Sequence, residues 1–110
     1  MSHAQKDHVK VNFHDPDEFL DELRKDHERV EQRIVRITVR RRYVQPFVHV
    51  AVIATTVVGN FIVALEHRIG ETFAGDEAGS PIPAKIRAAL DHLTVEATKL
   101  GLEVRAGVFE

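Results

Sequence analysis

The chain has 110 residues, 44% of them hydrophobic, and its 15 Lys and Arg against 17 Asp and Glu give a formal net charge of −2. That length fits one domain, with a single core modest enough for an oligomer interface to matter. The absence of Cys excludes a disulfide framework, a thiolate nucleophile and a zinc–thiolate site, and the near-neutral balance gives no global pull toward nucleic acid or acidic membranes.

Residues 1–14 read as a polar N-terminal tail holding a short strand, in which Val9, Val11 and Phe13 alternate with Lys10 and Asn12. Residues 15–110 read as a single α+β domain. The first helix starts with Asp15 as cap, Pro16 at the first helical position and Glu18 completing a capping box. Phe19, Leu20, Leu23, His27 and Val30 recur on one helical face, while Asp21, Glu22, Lys25, Asp26 and Glu28 mostly face water.

Residues 33–43 alternate as a strand, with Val35, Ile37 and Val39 on one side and Arg36, Arg40 and Arg42 on the other. Charge is concentrated there. Residues 1–31 carry −4, residues 32–45 carry +5, all of it arginine, and residues 46–110 carry −3.

Residues 47–69 form an apolar run interrupted by Gly59-Asn60, a two-residue loop of the II′ kind that folds the run into a hairpin. Facing pairs follow: Val58 with Phe61, Thr56 with Val63, Ala54 with Leu65, Val52 with His67 and Val50 with Ile69. This register sorts the hairpin into a dry face and a mixed face, the latter holding His49, Ala51, Ile53, Thr55 and Val57 against Ile62, Ala64, Glu66 and Arg68. A single membrane span is the competing reading, because residues 47–65 lack Asp, Glu, Lys and Arg and follow Arg40, Arg41 and Arg42. The β-branched content, His49 and the Gly-Asn pair favour strands. The N-terminus carries no signal-peptide pattern, and a cytoplasmic location is the expectation.

A loop is predicted from Gly70 to Ser80, followed by a second helix whose stripe is Ile86, Ala89, Leu90, Leu93, Ala97 and Leu100. Gly101 is its left-handed stop. Glu103 to Phe109 closes the chain as another alternating strand. The order is thus (β)-α-β-β-β-α-β, and the simplest assembly is an antiparallel meander sheet of four or five strands with both amphipathic helices on one face.

The seven histidines do not assemble into a site. His14-Asp15-Pro16-Asp17 is better explained by capping, His92 has no histidine at i±4, and His49 and His67 point to opposite faces of the hairpin. His67 reads as a hydrogen-bonded core residue. No Ser/His/Asp signature, phosphate-binding Gly loop or HExxH is present, so no catalytic, cofactor-binding or metal-ligating residue is assigned and no enzyme activity or cofactor is expected.

What remains is a sheet face with Arg36, Arg40, Arg42 and Arg68 beside Ile53, Val57, Ile62 and Glu66, an apolar surface ringed by guanidinium groups. Solvated ion pairs with Glu66, Glu103 and acids of the first helix would leave it without a partner. The functional expectation is a non-catalytic interaction and assembly module, homodimeric through that face, with an unidentified protein partner as a variant of the same idea. The alternative is RNA binding through the arginine-rich strand 33–42. The α-β-β-β-α order is shared with double-stranded RNA-binding domains, and Ala84-Lys85-Ile86-Arg87-Ala88-Ala89-Leu90 resembles the start of their second helix. Those domains place a lysine cluster ahead of that helix, where this chain has Pro81-Ile82-Pro83, and membership is not inferred.

Overall fold

The computed structural model describes residues 9–73 and 84–107. In chain order these form β1 (Val9–Phe13), α1 (Pro16–Lys25), two single 3-10 turns (His27–Arg29 and Glu31–Arg33), β2 (Ile34–Val44), β3 (Phe47–Val58), β4 (Phe61–Phe73), α2 (Ala84–Lys99) and β5 (Glu103–Ala106).

Local chemistry sets the helix ends. Asp15 accepts the Asp17 N–H at 2.9 Å, Pro16 occupies the first turn, and Arg24 and Lys25 lie in the last turn, near the negative end of the helix dipole. The helix is shorter than its periodicity predicts. Asp26 leaves helical geometry at φ −146° and its carboxylate takes a hydrogen bond from Arg29 at 2.9 Å, so His27 and Val30 fall beyond α1. Val30 is buried all the same, because it bridges Val58 of β3. At the other helix, Gly101 adopts φ +81°, and the Leu102 and Gly101 N–H groups return to the carbonyls of Ala97 and Thr98, the paired bonds of a Schellman stop.

The sheet has five strands in the order β1-β4-β3-β2-β5. The central β2, β3 and β4 form the predicted antiparallel meander, but the edge strands do not continue it. β1 runs parallel to β4 and β5 runs parallel to β2, so the sheet is mixed and the wholly antiparallel expectation is corrected. A helix lying back along the sheet returns the chain to the end it left, so the strand on each side of it must point the same way. α1 joins β1 to β2 in this manner, and α2 joins β4 to β5.

The hairpin register holds from Val58↔Phe61 to Ala51↔Arg68. Positive φ at Gly59 (58°), with none at Asn60, is the backbone signature of the II′ turn. Beyond Ala51 a bulge at Ile69 shifts the pairing by one: Val50 faces Gly70 and His49 faces Glu71, where Ile69 and Gly70 are expected. Strand geometry then persists to Phe73, so the loop predicted from Gly70 starts later. The remainder of that loop, through Ser80, and the last residues of the final strand lie outside the described residues, as do residues 1–8.

Both helices pack on one face of the sheet. Phe19, Leu20, Leu23, Ile37, Leu65 and Leu93 are each no more than 1% exposed, and burying side chains of this size contributes about 1.5–3 kcal/mol apiece. Thr56 is the one buried polar residue of this core among the described residues, and its hydroxyl donates to the Ile34 carbonyl at 2.7 Å. Arg24 of α1 and Glu96 of α2 bridge the two helices at 3.0 Å, and His92 reaches Asp17 at the same distance. The molecule measures 47 × 36 × 20 Å. A thickness of 20 Å is one sheet and one helix layer, and no described element covers the second face.

Candidate functional site: the open sheet face

The register places Arg36, Arg40 and Arg42 of β2, Ile53 and Val57 of β3, and Ile62, Glu66 and Arg68 of β4 on this open face. Strand alternation does this work, since partners paired across neighbouring strands share a side of the sheet. The same rule adds Lys10 opposite Ile62 and Arg105 opposite Arg36. The continuous apolar run is therefore two strands of a hairpin and not one helix. Among the described residues no helix is long and apolar enough to cross a membrane.

The face divides into two halves. Toward the Gly59 turn it is apolar. Ile34, Val57 and Ile62, with Arg36 and Thr55, border a concavity of about 440 Å³ whose wall is Glu31 and Gln32. That wall rests on two consecutive left-handed residues, Gln32 at φ 59° and Arg33 at φ 54°. Non-glycine residues in this region cost about 1–2 kcal/mol each. Arg33 holds the segment in place by donating to the carbonyls of His27 (3.2 Å) and Leu100 (3.1 Å), so one side chain both clamps the turn and caps the end of α2. Nothing in residues 31–33 announces this conformation, because neither Gln nor Arg is a turn former. The cavity wall was therefore not legible in the sequence.

Toward the opposite end the face is basic. Arg40 donates to Glu66 at 2.7 Å, spanning β3 diagonally. Arg68 donates to His49 Nδ1 at 3.4 Å. A guanidinium has no acceptor, so Arg68 is the donor in this contact. Ala51 lies between Arg40 and Arg68 in the register and is only 6% exposed, although no helix lies above it. The arginine stems cover it. Arg40, Arg42, His49, Ala51, Glu66 and Arg68 together surround a depression of about 20 Å³.

The expected ion pairs form only in part. Arg40 finds Glu66, whereas Arg36, Arg42 and Arg68 make no ion pair with a described carboxylate. Glu103 bonds instead to Arg105 at 2.9 Å; this bond, with a smaller contribution from Arg36, holds its carboxyl below the usual carboxylate range. Acids of α1 lie across the sheet and cannot reach these arginines. His67 faces the helix side, half-buried, with its ring on the His14 carbonyl at 3.2 Å, while the His14 ring meets the Glu66 carbonyl at 3.3 Å. No group of three or more His, Asp or Glu arranged to hold a metal occurs among the described residues.

Comparison of the chain with protein-family models, with curated proteins and with solved structures finds no match in any of the three.

Proposed function

We propose that the protein is a non-catalytic assembly module that pairs with a second copy of itself through the open sheet face. The observation behind this reading is the apolar half of the face: Ile34, Ile53, Val57 and Ile62 are only half-buried in one chain, on a sheet whose other side carries the helices and the buried core. Two such faces stacked as a sandwich at about 10 Å would bury these side chains against each other. A two-fold axis running along the strands matches the apolar rows, with Ile34 meeting Ile62 and Val57 meeting its own copy. Arginine at the margin of an apolar centre is the composition that interfaces favour.

The reading is tested by native mass spectrometry and sedimentation of the whole chain, with Ile53→Glu and Ile62→Glu as variants. The wild type is expected as a dimer and both variants as folded monomers, with circular dichroism confirming the fold. A monomeric wild type, or dimers that survive both substitutions, overturns it.

A further inference from the structure

We infer that an ion pair between Lys10 of one copy and Glu103 of the other fixes the orientation in which two open faces stack. The inference rests on the self-association proposed above and adds the contact that makes the face selective for its own copy. Register places the two residues in one row across the sheet. Lys10 is level with Ile62, Ile62 with Val57, and Ile34 with Glu103. Ile34 and Val57 share that row, because each lies two residues beyond the Arg36↔Thr55 pair on antiparallel strands. From edge to edge the row reads Lys10, Ile62, Val57, Ile34, Glu103: a base, an apolar centre and an acid.

A two-fold axis along β3 reverses that row without moving it along the strands. Lys10 then lies over the partner's Glu103 at one margin, and Glu103 over the partner's Lys10 at the other. In the next row Arg36 and Arg105 meet the partner's Ala64 and Asn12, so like charges do not face each other there. Farther along, Arg42 is level with the partner's Glu71. The one like-charged match among the described side chains is Arg40 over the partner's Arg68, and Glu66 at 2.7 Å already offsets Arg40. A two-fold axis across the strands would instead set the apolar half over the basic half. Lys10 and Glu103 are both exposed in the single chain, and Lys10 makes no ion pair with a described carboxylate. Glu103 holds Arg105 through Oε2 at 2.9 Å, which leaves Oε1 for the partner's Lys10. Charges at the margin of an interface act on orientation and partner choice more than on raw affinity.

Charge exchange on the full chain tests the pair. Lys10→Glu sets acid over acid at both margins, and Glu103→Lys sets base over base. Each variant by itself should dimerise roughly tenfold more weakly than the wild type in sedimentation equilibrium. Mixed in equal amounts, one of them 15N-labelled, they should form a heterodimer of wild-type affinity in native mass spectrometry, because both margins are then complementary. A second measurement does not depend on how well the charge variants fold. The chain has no cysteine, so a Lys10→Cys, Glu103→Cys chain treated with a short bismaleimide should yield covalent dimers. The two edges of one sheet are four strand spacings apart, about 19 Å, too far for the reagent to join within a chain. Single variants as tight as the wild type, a mixture no tighter than its components, or an uncrosslinked wild-type-like dimer overturns the pair and leaves self-association standing. A monomeric wild type overturns both.

Discussion

Arg40 Nη2 donates to Glu66 Oε2 at 2.7 Å across the top of Ala51, joining β2 and β4, two strands that share no backbone hydrogen bond. The bond divides the open face into its apolar and basic halves. It also keeps Glu66 from neutralising Arg42 or Arg68.

A double-mutant cycle with Arg40→Gln and Glu66→Gln should return a coupling of up to about 1 kcal/mol, since both side chains keep substantial solvent contact. Urea titration of the four proteins measures it. Coupling well above that range would mean that the pair is shielded in solution, as it would be beneath a second copy.

Gly59 is the hairpin's conformational requirement. Its φ of 58° suits glycine, and an added Cβ would also collide with the guanidinium of Arg29. The arginine can swing aside, but the backbone cannot change without losing the turn. Gly59→Ala should therefore cost about 1–3 kcal/mol in urea unfolding, and a neutral result would show that the turn is not of the II′ kind.

Acid should loosen the helix layer before the sheet. The hydrogen bond from Arg24, with that of Lys99, holds the Glu96 carboxyl below its usual range, and the same bridge raises the Arg24 guanidinium. A depressed carboxylate contributes stability that is fully present above its unfolded-state value and is lost as pH falls through the folded-state value. Thermal unfolding followed from pH 7 down to pH 3 should show a decline to which Glu96 contributes. Glu96→Gln should be less stable than the wild type at pH 7 and converge with it at pH 3. Parallel curves would exclude this origin.

The core gives the sharpest contrast between shape and polarity. Thr56→Val removes a buried hydroxyl whose single partner is the Ile34 carbonyl, at a cost of about 1 kcal/mol. Phe19→Ala empties a fully buried site and should cost about 3–5 kcal/mol. Chemical denaturation ranks the two, and a Thr56 variant as damaging as the Phe19 variant would mean that the hydroxyl anchors the start of β2.

Alternation and turn chemistry are local, so the sequence alone determined the hairpin, the sides taken by Arg40, Ile53, Ile62 and Glu66, the Asp15 cap and the Gly101 stop. Each depends on residues only a few positions apart, or on one strand facing its neighbour across a two-residue turn. The tertiary structure decided what depends on long-range closure. It set β1 and β5 parallel at the edges, because a crossover helix returns the chain to its starting end. It ended α1 at Lys25, where Asp26 binds Arg29 instead of continuing the helix. It moved Gly70 and Glu71 opposite Val50 and His49 through the Ile69 bulge, bringing His49 and Arg68 together. It also held Gln32 and Arg33 in a left-handed conformation that their own preferences oppose, because Arg33 finds the end of α2 within reach only once the two helices lie side by side.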